Sequence, residues 1–399
     1  MSAGRRTVLS LEQATALPYA TQRFVQLGWR VIRIEATPSP GEAQPGDPNR
    51  YVGKRAIDES RHALFVAPNV EKEAIAVNLK SADGRALLLR LLDSLDADAF
   101  CCNTLPQRYV PLGIDYETLS AARPGLIWAA ISAMGPDYPE VAGYDPVIQA
   151  MSGLMDLNGF ADGPPTLIGV PLTDLKAGDE LYSGVLLALL ERAETGRGKR
   201  IDVSMLQAAV SWLVAVLPLL DMDAEPAELA RNGNAHRRFV PTNVYPVRDG
   251  FLYIALGSNA QWQRLVEMPR YKALARPEWS TADGRYGGRQ EIYRLLGAAT
   301  ATGTLAEISA DFAAAKVPHT RINTLDASAK LEAVARRLNR TTLPGGRSVR
   351  LPPSAVDLPG TPRAFAPPPR YAEHTRAILG EVGIASSEID QLFKEGVVA

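Results

Sequence analysis

The sequence predicts an α/β fold in which a large domain holds a Rossmann-like parallel sheet and a smaller α+β domain follows. Four short apolar segments, at residues 7–10, 30–35, 99–102 and 126–131, have the composition of buried strands. Helical apolar stripes separate them, and this alternation is typical of βαβ units with helices on both faces of the sheet. The chain has 399 residues, whereas a single hydrophobic core stops growing at roughly 250–300. The length therefore predicts two domains.

The first half of the chain supplies the remaining elements of the predicted sheet. Residues 74–79 (AIAVNL) form a fifth strand-like segment. A helix is expected from 16 to 27, because alanine, phenylalanine and leucine recur at helical spacing before Gly28. Further helices are expected at 83–95, from a leucine stripe, and at 116–122. Each helix lies between two strands, as a crossover connection requires.

Residues 144–222 are predicted to be mostly helical. Apolar stripes mark two long helices, at 175–194 and 203–220. The turn between them, Thr-Gly-Arg-Gly-Lys-Arg at 195–200, carries the glycines that commonly end a helix.

The rest of the chain predicts the smaller domain and a return to the larger one. Expected elements of the smaller domain are strands at 251–256 and 320–323 and helices at 260–268, 290–299 and 305–316. Eight prolines between 341 and 369 predict an extended segment, and a helix is expected at 373–393. The predicted boundaries are 1–224 for the large α/β domain, 225–325 for the small α+β domain, and 326–399 for a return that completes the large domain.

Composition excludes several classes of function. Lysine and arginine number 43 and aspartate and glutamate 44, so the charge offers no footprint for nucleic acid or an anionic membrane. No apolar run reaches the length of a membrane span. The sequence opens without a secretory signal, and its two cysteines, Cys101 and Cys102, are adjacent. Both features favour a cytoplasmic protein without disulfides. Four scattered histidines argue against a zinc site.

Three well-known motifs are absent from the sequence. Without G-x-G-x-x-G, the α/β pattern does not predict a dinucleotide site of the usual kind. The lack of a phosphate-binding G-x-x-x-x-G-K-[ST] loop argues against an ATP-driven ligase. The lack of G-x-S-x-G argues against a serine hydrolase.

Asp174 opens a predicted helix and is the main candidate for a catalytic group. One interpretation is structural, because an acid in a first helical turn satisfies free backbone N–H groups. The other is functional. A carboxylate at a helix N-terminus is expected to keep a low pKa and to be an ionised nucleophile at neutral pH. Nearby backbone N–H groups are expected to be able to hold a developing oxyanion.

The order of short motifs along the chain resembles CoA-transferase family III, the group typified by formyl-CoA:oxalate and carnitine CoA-transferases. Around Asp174 these motifs lie at residues 143–145 (GYD), 149–153 (QAMSG), 162–165 (DGPP), 171–174 (PLTD) and 195–198 (TGRG). Elsewhere they lie at 46–50 (GDPNR), 78–80 (NLK), 103–113, 249–250 (DG), 368–369 (PP) and 373–375 (EHT). No single motif decides the matter, but together they cover nearly the whole chain.

This resemblance implies covalent catalysis by Asp174. The carboxylate attacks an acyl-CoA thioester to form a mixed anhydride, and the CoA thiolate then converts it into an aspartyl-CoA thioester. A free acid attacks this thioester, and the steps run in reverse. The expected donor is succinyl-CoA. CoA enters as the thioester substrate, and no tightly bound cofactor or metal is expected.

The resemblance also implies which residues form the site. Those expected to bind CoA are Gln13, Ala16, Asn78, Lys80, Asn103 and Arg108. Arg108 is assigned because Pro111 occupies the position where an arginine is usual; the alternative is that Arg108 is an ordinary solvated arginine. Those expected to bind the acid are Tyr144, Asp145, Arg237 and Arg238. Arginine pairs bidentately with carboxylate and so favours a dicarboxylic acceptor; the alternative is that these arginines are solvated loop charges.

Two other functions, a racemase and a non-catalytic subunit, are alternatives to the transferase. The α-methylacyl-CoA racemases resemble this chain but carry histidine at the position of Tyr144, and a phenol is a poor replacement in proton transfer at neutral pH. A non-catalytic subunit of a heteromeric transferase would not need Asp174. For Tyr144 the alternative is a side chain packed under its helix. The family resemblance also implies an interlocked homodimer, threaded through residues 222–234 and 341–369, with a heteromer as the alternative.

Overall fold

The computed structural model describes residues 5–399 and divides the chain into two compact units. The first consists of residues up to 154, 168–214 and 333–399, and the second of residues 155–167 and 215–332. The predicted small domain was 225–325. The observed second unit begins ten residues earlier and also includes residues 155–167. A loop of the second unit binds this segment. There Arg231 donates hydrogen bonds to the carbonyl oxygens of Asp156 and Gly163.

Within residues 5–399, twelve strands form three sheets. They are β1 (Thr7–Leu11), β2 (Arg30–Glu35), β3 (Glu73–Ala76), β4 (Ala99–Cys102), β5 (Ile127–Ser132), β6 (Arg200–Ser204), β7 (Asn243–Val247), β8 (Gly250–Ile254), β9 (His319–Arg321), β10 (Asn339–Thr342), β11 (Ser348–Leu351) and β12 (Ala364–Phe365).

The helices alternate with these strands. They are α1 (Ala16–Gln26), α2 (Ala63–Asn69), α3 (Ala82–Ser94), α4 (Tyr109–Leu112), α5 (Tyr116–Ala122), α6 (Asp145–Met151), α7 (Leu154–Leu157), α8 (Leu172–Thr195), α9 (Met205–Val210), α10 (Pro226–Leu229), α11 (Asn259–Val266), α12 (Ala282–Gly287), α13 (Arg289–Thr300), α14 (Leu305–Ala314), α15 (Leu325–Lys330), α16 (Glu332–Ala335), α17 (Thr375–Glu381) and α18 (Ser386–Lys394). Short 3₁₀ segments lie at Pro48–Tyr51, Pro106–Arg108, Leu217–Asp221, Pro269–Leu274 and Pro277–Trp279.

The first unit contains a six-stranded parallel sheet in the order β3-β2-β1-β4-β5-β6. This is the strand order of the Rossmann fold, and the predicted α/β class is confirmed. Side chains of successive strand residues enter two different cores. In β1, Val8 belongs to the core that contains α1 and α8, whereas Leu9 belongs to the core that contains α3, α17 and α18. Helices therefore cover both faces of the sheet.

Strand β6 corrects one prediction. Residues 203–220 do not form one helix, because Val203 pairs with Ile131 as part of the sheet. The helix that follows is only α9. Ser204 caps it by accepting a hydrogen bond from the backbone N–H of Gln207 at 3.2 Å, and Pro218 lies in a separate 3₁₀ segment. The apolar run of the sequence concealed an edge strand followed by a short helix.

The Pro-rich segment also holds more structure than predicted. Strands β10 and β11 pair antiparallel, and β12 adds to β10 in parallel. The predicted C-terminal helix is divided into α17 and α18, which meet at Gly383, a residue with φ of +76°. The second unit contains the antiparallel sheet β7-β8-β9 and its own core, formed with α11, α13 and α14.

Helices α1 and α8 lie side by side and run parallel. Gly178 makes this approach possible, since a Cβ there would lie 2.7 Å from Tyr19 Cδ1 and 2.8 Å from the carbonyl oxygen of Ala16. The next residue of α8, Asp179, accepts a hydrogen bond from Tyr19 Oη at 3.0 Å. Arg23 then stacks on Tyr182, 3.9 Å from the ring centroid. The two helix N-termini therefore lie at the same end of the unit.

Candidate active site

The carboxyl ends of β1 and β4 form the centre of the candidate site. These neighbouring strands lie where the strand order reverses, and open α/β sheets bind ligands in the crevice at this point. Gln13 follows β1 and Asn103 follows β4. The backbone N–H of Gln13 donates to Asn103 Oδ1 at 3.1 Å, and Asn103 Nδ2 donates to the carbonyl oxygen of Gln13 at 2.8 Å. Two residues predicted to bind CoA thus meet across the crevice.

Asp174 lies in the first turn of α8. It is four residues before Gly178, so both lie on the same helix face. Because Gly178 contacts Ala16, the first residue of α1, Asp174 lies one turn before this contact on the side of α8 that faces α1. Asp174 opens a helix, as the sequence predicted, and this helix begins next to the crevice.

Asp145 holds the beginning of α8 from the first turn of α6. Its Oδ1 accepts hydrogen bonds from the backbone N–H and the hydroxyl of Thr173, at 2.7 and 2.8 Å, and from the backbone N–H of Asp174 at 3.4 Å. Its Oδ2 accepts a hydrogen bond from Gln149 Nε2 at 2.7 Å. Asp145 is 6% exposed. Since both oxygens are engaged by the protein, we interpret Asp145 as a residue that positions α8.

The electrostatics of Asp174 differ from the sequence prediction. Burial, together with the negative charge of Asp145, raises the pKa of Asp174 to about 7. The expectation of a low pKa at a helix N-terminus is therefore wrong. Asp145 occupies the N–H groups of Thr173 and Asp174, so these amides do not stabilise the Asp174 carboxylate. They are also not free to hold an oxyanion.

Free backbone donors lie instead at the start of α1. In residues 5–399, the N–H groups of Ala16 and Leu17 have no protein acceptor, and no side chain caps this helix. Ala16 is 5% exposed and Leu17 is fully buried, so of these two N–H groups only that of Ala16 lies at the surface. The Asp174 carboxylate likewise has no hydrogen bond or ion pair within the described chain.

Tyr144 precedes α6 as its N-cap residue and is 72% exposed. The alternative that it packs under the helix is wrong. Its neighbour Gly143 lies close to the sheet, because a Cβ there would come within 2.9 Å of Ala133 Cβ. This approach fixes the start of α6, while the phenol itself points into solvent.

Across 5–399, no group of three or more histidine, cysteine, aspartate or glutamate side chains is arranged to hold a metal ion. Within the same range, no helix combines the length and apolar character needed to cross a membrane.

Comparison with known proteins identifies the family. The profile of CoA-transferase family III matches residues 4–375. The chain belongs to CoA-transferase family III. Succinyl-CoA:glutarate CoA-transferase from Mus musculus is 30% identical over 405 residues, covering 98% of this chain and 89% of the relative. Succinate–glutarate CoA-transferase from Agrobacterium fabrum is 29% identical over 400 residues, covering 94% of both chains. The chain is an enzyme of the transferase class, and CoA thioesters are its substrates.

A solved structure supports the fold of this family III CoA-transferase. A CAIB/BAIF family protein from Brucella suis superposes with a TM-score of 0.80 at 29% identity, over 94% of this chain and 98% of the other. The resemblance that the sequence motifs indicated is confirmed, as is the mixed α/β architecture.

The other predicted CoA-binding residues of this transferase lie at the same edge of the sheet. Asn78 and Lys80 follow β3, and Arg108 follows β4. Asn78 contacts the C-terminal tail, because its backbone N–H donates to the carbonyl oxygen of Val397 at 2.8 Å. The side chains of Lys80 and Arg108 are exposed and have no ion pair in the described residues.

Sequence reasoning missed a third cation at this edge. Arg85, in α3, donates hydrogen bonds to the carbonyl oxygens of Leu79 and Lys80 at 3.3 and 3.1 Å. Its Cδ lies 2.7 Å from where a Cβ of Gly113 would be, so it bridges the segments after β3 and β4. Arg85 and Gly113 are 28 residues apart, so no local sequence pattern indicates that they are in contact.

The predicted arginines Arg237 and Arg238 belong to the second unit. Arg237 Nη1 donates to the carbonyl oxygens of Glu228 and Ala230, at 2.5 and 2.8 Å, and so braces its own loop. Arg238 stacks on Tyr286, 4.5 Å from the ring centroid, and its side chain is 55% exposed. Arg238 also pairs with Glu228 and Asp283, at 3.8 and 3.6 Å, so both arginines are engaged by residues of their own unit.

Proposed function

We propose that this enzyme transfers CoA from succinyl-CoA to a free dicarboxylic acid, with Asp174 as the covalent nucleophile. One observation carries the proposal. Asp174 is an unpaired, half-buried carboxylate in the first turn of α8, one turn before the contact of Gly178 with the start of α1. The relatives named as succinyl-CoA:glutarate and succinate–glutarate CoA-transferases support a dicarboxylic acceptor.

The proposed reaction exchanges acyl groups without a net input of energy. An Asp174 oxygen attacks the thioester carbonyl, the C–S bond breaks, and CoA thiolate leaves from a mixed anhydride. The thiolate attacks Cγ of Asp174, releasing the donor acid and forming an aspartyl-CoA thioester. The acceptor carboxylate attacks the same Cγ, and the thiolate is expelled. The thiolate then attacks the acceptor carbonyl and frees the Asp174 carboxylate.

The surroundings of Asp174 suit these steps. Its pKa of about 7 means that much of it is ionised at neutral pH while its basicity, and so its nucleophilicity, exceeds that of an ordinary aspartate. Each attack places negative charge on a carbonyl oxygen, and the N–H group of Ala16, which has no protein acceptor, is the donor that we assign to that charge. Lys80, Arg85 and Arg108 offer positive charge for the phosphates of CoA.

Oxygen labelling tests the covalent step directly. Each turnover passes one acceptor oxygen to Asp174, and the next turnover passes it to the released donor acid. Glutarate labelled with ¹⁸O in its carboxylates should therefore yield labelled succinate. Asp174→Asn should abolish transfer, and Glu194→Gln, at an exposed position near the other end of α8, serves as the control. An Asp174→Ala enzyme that transfers CoA at the wild-type rate would disprove the assignment.

The racemase alternative predicts a different isotope result. A racemase incorporates solvent deuterium at the α-carbon of a 2-methylacyl-CoA, whereas the proposed transferase moves CoA without exchanging that proton. Incubation in deuterium oxide with and without a free acid distinguishes the two. Deuterium uptake without CoA transfer would establish the racemase instead.

A further inference from the structure

A cluster of six charged side chains lies beneath the loop that joins β1 to α1. Its members are all buried and comprise three acids and three bases: Glu12, Glu35, Asp47, Arg33, Arg50 and Lys72. Removing charges from water costs several kcal/mol per ion unless they are paired. Because acids and bases are equal in number, the cluster has no net charge. Removal of any one member would leave a buried charge without a partner.

Two of the bases connect separate parts of this charged cluster. Lys72 Nζ donates to Glu12 Oε1 at 2.6 Å and to the hydroxyl of Thr21 at 2.7 Å. Arg33 donates to Asp47 Oδ2 at 2.9 Å and also binds the side chain of Asn69. Burial, opposed by the charge of Glu12, lowers the pKa of Lys72 to about 8.

Asp47 is the member of the charged cluster whose side chain binds the backbone of residues 13–15. Its Oδ1 accepts a hydrogen bond from the backbone N–H of Ala14 at 3.0 Å. Ala14 has φ of +60°, a left-handed conformation that costs a non-glycine residue free energy. The carboxylate, held in place by Arg33, thus stabilises a backbone conformation that the sequence alone disfavours.

The same three-residue loop is fixed on its other side by Asn103, which binds both the N–H and the carbonyl of Gln13. Between these two anchors the chain turns into α1. The free N–H groups of Ala16 and Leu17 follow directly, next to the helix that carries Asp174. A different backbone conformation at Ala14 would therefore displace the N–H groups of Ala16 and Leu17 relative to Asp174.

We propose that Asp47 is a positioning residue for CoA transfer. Through its bond to the Ala14 N–H it sets the direction of the first turn of α1 against Asp174, while Arg33 neutralises its charge. This role rests on the proposed function. A misplacement of about 1 Å in a catalytic arrangement costs roughly 100-fold in rate, so the effect falls on kcat more than on KM.

Two substitutions of the same residue separate positioning from stability. Asp47→Ala removes both the partner of Arg33 and the acceptor for Ala14. Asp47→Asn removes the charge but keeps an oxygen for Ala14. Both variants should lower the Tm, yet Asp47→Ala should lower kcat at least tenfold with a smaller change in KM, and Asp47→Asn should stay within about threefold of wild type. A merely structural role would lower the activity of both alike.

A control variant tests whether the loss of buried ion pairs elsewhere in the same unit changes kcat. Asp98→Ala breaks ion pairs with Arg6 and Arg192 in the same unit, away from this loop, and should lower the Tm without changing kcat. If Asp47→Ala does not fold, Asp47→Ser takes its place, because the shorter side chain also loses Ala14. The proposal is overturned if the folded Ala or Ser variant keeps the wild-type kcat, or if Asp47→Asn loses as much as Asp47→Ala. An active Asp174→Asn enzyme would instead overturn the proposed function itself.

Discussion

Asp145 caps the helix that carries Asp174, and its charge also raises the pKa of that second carboxylate. The cap is made by Oδ1, which binds the N–H groups of Thr173 and Asp174. The repulsion follows from the same closeness. One buried acid therefore fixes the position of the other and increases its basicity.

The rate of CoA transfer should depend on pH through Asp174. Attack requires the ionised carboxylate, whose pKa is about 7, so kcat/KM should rise tenfold per pH unit below 7 and level off above it. Asp145→Asn removes the repelling charge and should move this limb to lower pH. Steady-state rates between pH 5 and 9 measure the shift. If the pH dependence of kcat/KM below pH 7 is the same in Asp145→Asn as in the wild type, the charge of Asp145 does not affect the pKa of Asp174.

Asp174 should destabilise the folded protein at neutral and higher pH. Between pH 4 and 7 the folded state keeps a proton that the unfolded chain has released, so the free energy of unfolding falls as the pH rises through this window. The cost is fully present above pH 7 and absent below pH 4. Asp174→Asn removes this cost, so it should raise the Tm at pH 8 and leave the Tm unchanged at pH 4. Asp137→Asn, at an exposed site, is the control.

Removal of the cap should cost both stability and activity. Asp145→Ala leaves the N–H groups of Thr173 and Asp174 without an acceptor, and loss of a cap costs about 0.5–2 kcal/mol. Denaturant unfolding should show this loss, and Asp145→Asn should recover part of it because its amide oxygen can accept the same bonds. Equal stability of the wild type and Asp145→Ala would rule out the capping role.

The close approach of α1 and α8 should be intolerant of a single methyl group. Gly178→Ala would place Cβ 2.7 Å from Tyr19 Cδ1 and 2.8 Å from a carbonyl oxygen, so the helices must separate. Overpacking of this kind costs about 1–3 kcal/mol, and transfer activity should fall because Asp174 moves away from α1. Gly297→Ala in α13 is the matched control, since no atom lies within 4 Å of the added Cβ. That variant should gain about 0.5–1 kcal/mol.

The sequence predicted best where local pattern and burial agree. Strands β2 and β4 were predicted to the residue, because each is a short run buried on both faces of a parallel sheet. Strand β6 was missed, since its assignment depends on pairing with β5, about 70 residues earlier. The pKa of Asp174 was mispredicted for a similar reason. The cap by Asp145 spans 29 residues, and local helix geometry gives no sign that the N–H groups are already occupied.

The chain should form a stable dimer. Leu187 and Leu190, one turn apart on the outer face of α8, are 66% and 68% exposed, and Val214 is 77% exposed. Exposed apolar groups that lie close together mark interaction surfaces, and the interlocked homodimer predicted above would cover them. Light scattering should give a mass near twice 43.0 kDa, and dilution to nanomolar concentration should leave it unchanged. Leu187→Glu should impair assembly, whereas Leu325→Glu, on a side chain that is 89% exposed in the second unit, should not. A monomer that forms reversibly on dilution in native buffer would exclude two threaded chains, because such chains separate only by unfolding.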